Sequence, residues 1–445
     1  MKVDMENLRK ESILDKSRIK LLEDELAEIK NKKNSNNSSI PPSKDENRNR
    51  GNQSLREKSG KKSGGQPGHK GHTLSMVSVP DMFIKDIPEL CHSCGKGLSD
   101  IDAVLLGKRQ VVEIPPIKAL FVQYETYQKQ CSCGKVCSGS FPDHVKAPIQ
   151  YGSSVANLVA YLSVRHFIPY KRTCELFEDL FHIPLSEGTI ANLLGNVAKK
   201  LEPDYLQIHH NLENASTVLG GDETGAVVNG SKGWFWVWQD TLNTYISAAE
   251  SRGKKEQENI FPNGFPSAVL SSDAYAVHLS TPCKAHQLCL AHLTRDLNFH
   301  IQVNPFHQWP RKLKSLFKKA IALKHKMTPE KYLNCPERDK IELKIDELLK
   351  NPPQNKGKMF AFYNRIIKNR DSIFPFLYHE HVVPDNNASE RGIRNIKVKQ
   401  KVSGQFKSID TAQEFAIIRS LIDTWIKRGF DILDSFDVLP NLAAE

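Results

Sequence analysis

The chain has 445 residues, 39% of them apolar and 25% charged, and a formal net charge of +11 at pH 7. This length exceeds one ordinary hydrophobic core, so several domains are expected. No apolar run is long enough to span a bilayer and the charged start, residues 1–13, has no secretory pattern, which sets aside membrane and exported classes in favour of a cytoplasmic protein.

Residues 1–31 read as a helix. Ile19, Leu22, Leu26 and Ile29 repeat at 3-4-3 spacing, the seam of a short coiled coil. A single amphipathic helix packing on its own chain is the competing reading. Residues 32–79 read as a basic flexible linker, rich in Asn, Ser, Lys and Gly, with too little apolar content to build a core. From Lys30 to His72 there are eleven Lys or Arg against three Asp or Glu, a local excess of +8. Such an arm favours a polyanion, nucleic acid before membrane, with Lys61, Lys62, His69 and Lys70 as DNA-contact candidates.

Nine cysteines, an odd number with four in close pairs, fit metal binding under reducing conditions better than a disulfide framework. Cys91 and Cys94 form one pair, Cys131 and Cys133 the other, with extended, β-branched runs between them. Two cysteine knuckles joined by a hairpin predict a zinc-ribbon-like domain over 80–148, with structural Zn²⁺ on those four thiolates. The second pair has a one-residue gap, and Cys137 is its alternative ligand.

Residues 150–205 predict helices joined by a tight turn through His182–Leu185, with Ser186 as N-cap. This is a helix-turn-helix pattern, whose second helix would present Glu187, Thr189 and Asn192; a small bundle linking domains is the bland alternative. From 215 the pattern changes to strands. Trp234–Trp238 and Tyr245–Ala249 face each other across a four-residue turn, a predicted hairpin after the strand Thr217–Leu219. A helix over 251–260 and a strand ending before Asp273 follow. Strand, hairpin, helix, strand is the order of a ribonuclease-H-like core. Residues 284–370 read as a helical, basic insertion, and 411–428 as a last amphipathic helix ended by Gly429. The chain thus reads as multidomain α/β, with residues 206–429 as one ribonuclease-H-like catalytic domain carrying a helical insertion at about 284–375, before a tail over 430–445.

Asp222 and Asp273 stand at the ends of short apolar runs, and Glu390 in a segment with helix-start chemistry. Hard carboxylate oxygens suit Mg²⁺ or Mn²⁺, and two such ions can hold the attacking and leaving oxygens of a phosphodiester. Lone Asp residues at strand ends are more often turn formers. Glu223 is the competing ligand, but on a strand it points away from the Asp222 face. Arg391, Arg394, Lys397, Lys399, Lys401 and Lys407 make a basic strip beside Glu390, fit for a DNA backbone; Glu390 with Arg394 is also a plain i,i+4 pair.

In this order along the chain, the motifs resemble those of insertion sequence 66 family transposases, in their TnpC-type large-subunit form. They are Asn-Ser-Ser-Ile-Pro-Pro-Ser (37–43), Gly-Gln-Pro-Gly-His-Lys-Gly-His (65–72), the paired cysteines, Leu-Ser-Glu-Gly-Thr-Ile (185–190), Gly-Asp-Glu-Thr-Gly (221–225), Ser-Asp-Ala-Tyr (272–275), Cys-Leu-Ala-His (289–292), Asp-Asn-Asn-Ala-Ser-Glu-Arg (385–391) and Lys-Val-Ser-Gly (401–404). The resemblance implies a DDE transposase of Asp222, Asp273 and Glu390, acting on element ends and target DNA in the nucleoid. It also implies at least a dimer in the working complex and accessory proteins from the same element. A non-enzymatic, zinc-dependent DNA-binding protein derived from a transposon is the alternative. Cys283, His286, Cys289 and His292 recur at spacing three, but one regular helix would spread four such side chains around its axis. The resemblance covers only Cys289 and His292, as organisers of the active site or of the DNA strand end.

Overall fold

Residues 2–31, 33, 34, 37, 38, 68, 74–115, 117–214, 216–353 and 357–436 are described by the computed structural model. Lys61, Lys62, His69 and Lys70 lie outside them. The chain divides into a small unit, residues 54–120, and a large one, residues 1–53 with 121–445. Among the described residues no helix is long and apolar enough to cross a membrane.

The described part of the small unit holds no helix, and its ladder contact is the isolated bridge of Leu90 with Gly97. Beneath that bridge Cys91–Gly95 forms a tight knuckle. The Cys91 N–H donates to Lys96 O at 2.9 Å, the Gly95 N–H to Cys91 O at 2.9 Å, and Gly95 takes φ +72°.

In the large unit α1 spans Lys2–Lys30. Its seam residues Ile19, Leu22, Leu26 and Ile29 are all exposed. Just after it, Asn37 donates from Nδ2 to Gln302 Oε1 at 2.7 Å and Lys33 lies 5.6 Å from the Phe299 ring. A second knuckle, Cys131–Gly134, repeats the first, with Gly134 at φ +85°. Only glycine takes this left-handed turn without strain, which is why each cysteine pair is followed by one. Strands β1 (Gln128–Gln130) and β2 (Val136–Ser138) pair antiparallel around this knuckle. The expected hairpin between the two cysteine pairs is absent from the described residues; the ladder encloses the second pair instead.

Helix α2 (Ser153–Ala160) runs into one π turn, Tyr161–Arg165, before α3 (Tyr170–Phe181). His182, at φ +53°, ends α3. Ser186 Oγ accepts the Thr189 N–H at 3.0 Å and starts α4 (Glu187–Asn214). The cap signal read from the sequence is therefore the one used. Helix α4 buries a continuous stripe from Ile190 to Leu212 against α2 and the sheet.

The sheet has five strands: β3 (Val218–Val228), β4 (Ser231–Gln239), β5 (Thr244–Ala249), β6 (Phe265–Ser272) and β7 (Cys283–Leu288). Their order is β5-β4-β3-β6-β7, antiparallel on the β5-β4-β3 side and parallel across β3-β6-β7. Asn229 and Gly230, both at positive φ, join β3 to β4 in a two-residue hairpin. Helix α5 (Lys254–Ile260) returns the chain to β6, and α6 (Ala276–Ser280) leads to β7. Residues 283–288 are thus a strand of the sheet, and the helical insertion begins only after them. The expected helix over 284–288 fails because parallel pairing with β6 places this short run inside the sheet.

Helices α7 (Leu290–Val303), α8 (Gln308–Lys324), α9 (Pro329–Leu333), α10 (Pro336–Leu349) and α11 (Lys358–Lys368) follow. They have a core of their own, from Leu293 and Leu297 through Leu313, Phe317 and Ile345 to Phe362 and Phe374. The main core joins Trp236, Trp238, Ile246, Phe261 and Phe265 of the sheet side to α4 and the C-terminal helices.

Those are α12 (Asn387–Ser403), α13 (Ile409–Arg428) and α14 (Ile432–Ser435). A Ser408–Thr411 capping box starts α13. This helix lies along the outer edge of β5. The N–H groups of Thr244, Ile246 and Ala248 donate to Thr424 Oγ1 (3.0 Å), Ser420 Oγ (2.9 Å) and Gln413 Oε1 (2.9 Å). Side chains thereby close an edge that would otherwise expose a row of donors.

Candidate active site

Strand β3 separates two carboxylates that are neighbours in sequence. Cross-strand partners share a sheet face. Asp222 is paired with Val237, and Glu223 with Trp236. The Val237 face lies under α12, where Val237 touches Gly392. On the Trp236 face His278 packs edge-on against the indole, 5.6 Å away. Glu223 is 3% exposed and fully engaged there. Its Oε2 accepts His278 Nε2–H at 2.7 Å, and its Oε1 accepts Arg252 Nε–H at 2.7 Å. Burial works to raise the Glu223 carboxyl, but the His278 hydrogen bond and charge, then Arg252, hold it below its ordinary value.

Asp222 has no such cation. Burial, then the charges of Glu223, Asp273 and Glu390, push its carboxyl well above the ordinary range. It sits within β3, not at the end of a short run, because β4 pairs with nine consecutive β3 residues from Gly220 to Val228. Asp273 follows the last residue of β6. The parallel register sets Gly220 against Ser271, and continued by two residues it sets Asp222 beside Asp273. Burial and the Glu223 charge raise the Asp273 carboxyl, while His278 and Arg252 pull against them. Asp222 Oδ1 accepts the Glu223 N–H and Asp273 Oδ1 the Tyr275 N–H, each at 2.9 Å.

Glu390 lies in the first turn of α12, which docks on β3 at Gly220. A Cβ at Gly220 would overlap Ser389 Oγ and lie 2.9 Å from Asn386 Oδ1, so only glycine admits the helix start this close. Asn386, 3% exposed, secures it: Nδ2 donates to Gly221 O at 2.8 Å and the backbone N–H donates to Cys289 Sγ at 3.2 Å. Glu390 Oε1 then stands 3.9 Å from His292 Nε2 and 3.6 Å from Arg295 Nη2. The expected Glu390–Arg394 pair gives way to these two partners.

Cys289 caps the start of α7 at the end of β7, and His292 lies in that helix's first turn. Burial pushes the Cys289 thiol up to about 11. Burial, then Arg295 and Arg365, push His292 down to about 3. A neutral thiol and a neutral imidazole therefore stand beside Glu390. Cys283 and His286, with sulfur and ring 3.4 Å apart, stay on β7. A cleft of about 200 Å³ is lined by Arg252, Asp273, Tyr275, Cys289, His292 and Arg365, among others. It draws on β6, β7, α7 and α11, so its residues are far apart in sequence. Arg252, Arg295 and Asn386 escaped the sequence reading, although the three-residue step from His292 to Arg295 puts both on one helix face.

Among the described residues no group of three or more His, Cys, Asp or Glu side chains converges as a ready metal site. At the knuckles, backbone N–H groups of Cys94 and Ser93 lower the Cys91 thiol, and that of Cys133 lowers Cys131. Cys94, Cys133 and Cys137 are exposed. Of the other candidates, Asn192, Arg391, Arg394 and Lys401 are exposed and Thr189 is half-buried. Lys399 is 7% exposed, 5.1 Å from the Tyr170 ring, so its charge is spent inside the protein. Lys397 donates to Gly225 O.

No curated protein matches the chain. Residues 1–75 match a family of unknown function, DUF6444. Residues 148–414, spanning the helices before the sheet, all five strands, the insertion and α12, match the family described as "Transposase IS66 family". That match takes in Asp222, Asp273, Glu390 and every residue lining the cleft, and the chain belongs to the IS66 family of transposases.

Proposed function

We propose that this transposase binds the ends of its insertion sequence, cuts them and joins them to target DNA, with Asp222, Asp273 and Glu390 as a DDE triad on a ribonuclease-H-like core. The observation that supports this reading is the parallel register that sets Asp222 beside Asp273, with α12, which carries Glu390, docked on β3 at Gly220. Strand order β5-β4-β3-β6-β7, with two antiparallel and two parallel pairings, supports the core assignment.

Three hard carboxylates suit a divalent ion by their chemistry, although among the described residues they do not converge as a ready metal site. Asp222 is half-buried among like charges without a cation, and among the described residues the second oxygen of Asp222 and of Asp273 accepts no hydrogen bond from the protein. Asp222, Asp273 and Glu390 would hold Mg²⁺ or Mn²⁺, which when bound would polarise the scissile phosphate and activate a hydroxyl nucleophile. The chain's own residues do the rest. Asn386 and Gly220 fix the approach of Glu390, and His292 with Arg295 orient its carboxylate. Arg391, Arg394 and Lys401 lie on one exposed face of α12 and suit backbone phosphates. Thr189 and Asn192 on α4 are the candidates for a helix-turn-helix contact, α3 being its first helix. The lowered thiols of the two knuckles suit zinc, which a metal analysis of the purified protein would decide.

Incubation of the purified chain with Mg²⁺ and a labelled element end tests the reading. Cleavage and insertion, both lost in Asp222→Asn with DNA binding retained, are expected. A gel shift without cleavage, for the wild-type chain with its accessory proteins, would leave a DNA-binding protein without this chemistry.

A further inference from the structure

Arg252 is held more firmly than a half-exposed arginine on a loop needs to be. It lies between β5 and α5, with its side chain 39% exposed. Nε and Nη2 both reach Glu223 Oε1, at 2.7 and 2.5 Å. Its guanidinium carbon is 3.8 Å from the centre of the Tyr275 ring and 5.1 Å from that of Trp234. The Tyr275 hydroxyl donates to Arg252 O at 2.7 Å, closing the loop onto the same ring. Glu223 is itself fixed by His278, which is fully buried.

This arrangement uses one edge of the guanidinium and both of its neighbouring aromatic groups. Among the described residues Nη1 has no protein acceptor. The side chain lines the cleft that contains Asp273. A planar cation with one edge pinned and another open is pre-organised for a phosphate oxygen, because little rotamer freedom remains to be lost. Glu223 is committed to His278 and Arg252, one at each oxygen.

We propose that Arg252 binds one backbone phosphate of the DNA strand entering the cleft, and that Glu223, His278 and Tyr275 are the positioning residues that aim it. The proposal rests on the reading of Asp222, Asp273 and Glu390 as catalytic. It gives the neighbouring Asp222 and Glu223 separate tasks: one faces the reacting phosphate, the other orients an arginine toward a phosphate beside it.

The test uses the full chain and labelled element ends carrying single neutral methylphosphonate linkages around the cleavage position. With Arg252→Ala, the salt dependence of DNA binding should become shallower by about 0.9 in log–log slope, the value of one phosphate contact. Single-turnover cleavage should fall by roughly 10- to 100-fold, as for loss of a group that orients a metal site. The loss should be non-additive with the neutral linkage at one position and additive elsewhere. Arg252→Lys should restore the salt slope but not full cleavage, and it decides the matter if the alanine variant does not fold. Glu223→Gln should lower cleavage while leaving the slope near wild type. Wild-type slope and cleavage in both Arg252 variants, or additivity at every linkage, would overturn the proposal. Asp222→Asn is the separate control: if it still cuts, the catalytic reading fails whatever Arg252 does.

Discussion

The two faces of β3 handle negative charge in opposite ways. On the Trp236 face, Glu223 is buried with two cationic partners, and its carboxyl is held low. On the α12 face, Asp222 is half-buried among carboxylates, and desolvation and their charges force its carboxyl up. The difference is that between an internal ion pair and a carboxylate with no cationic partner, which the proposed function would assign to a metal ion. A buried charge with partners contributes to the fold once formed; one without partners costs stability and persists where function requires it.

Five substitutions break or sharpen this contrast. Asp222→Asn should abolish cleavage, on the order of 10³-fold or more, the scale of losing several kcal/mol of charge stabilisation in the transition state. The same variant should be no less stable than wild type by thermal melting without metal. Its folded-state pKa lies above the unfolded value, so the protonated form is favoured in the fold. The Asp222 contribution to stability is therefore fully present below about pH 4 and is lost as pH rises through its raised folded pKa. Asn at this position should remove that loss, and parallel stability–pH curves for the two proteins would show the charge is compensated after all.

Glu223→Ala should do the reverse for stability. It strands His278 and Arg252 and should cost about 3 kcal/mol in a denaturant titration. Gly220→Ala, by forcing α12 off β3, should cost about 1–3 kcal/mol and lower cleavage roughly 100-fold, as expected for misplacing Glu390 by about 1 Å. Asn386→Ala should cost about 2 kcal/mol by leaving Gly221 O unsatisfied. The smallest effect, about 1 kcal/mol, is expected for Ser420→Ala, which frees the Ile246 N–H. Equal cleavage by the Gly220→Ala variant and the wild type would detach Glu390 placement from catalysis.

Much of the sheet was legible because its hydrophobic pattern is local. The alternation of Trp234, Trp236 and Trp238 with Tyr245 and Ile246, and the apolar run before Asp273, each announce a strand. β3 was only half legible. Gly220, Gly221 and Gly225 have poor strand propensity, and pairing with the tryptophan-rich β4 overrides it. The Asn229-Gly230 pair was the available signal: a two-residue hairpin there extends β3 back through Asp222. β7 was hidden by its Cys and His residues, which suggested a metal pattern on a helix. Asp222 and Asp273 could be picked out by their contexts, and Glu390 by its helix-start segment. Arg295 could have been, from its place three residues after His292 on one helix face, but Arg252 and Asn386 could not. Nothing in the residues around Arg252 announces a partner, since Glu223 and Tyr275 reach it only after the sheet has formed. A single asparagine at a helix start has many fates, and its grip on Gly221 O exists only once α12 has docked.

The hydroxyl and amide groups that α13 lays along β5 have a consequence for how copies of this protein meet. A transposase works where several protein chains and DNA strands crowd together, and a bare sheet margin there would invite any extended segment to zip on. Thr424, Ser420 and Gln413 already occupy those amides. An extended segment of another chain therefore meets no row of open donors along this margin.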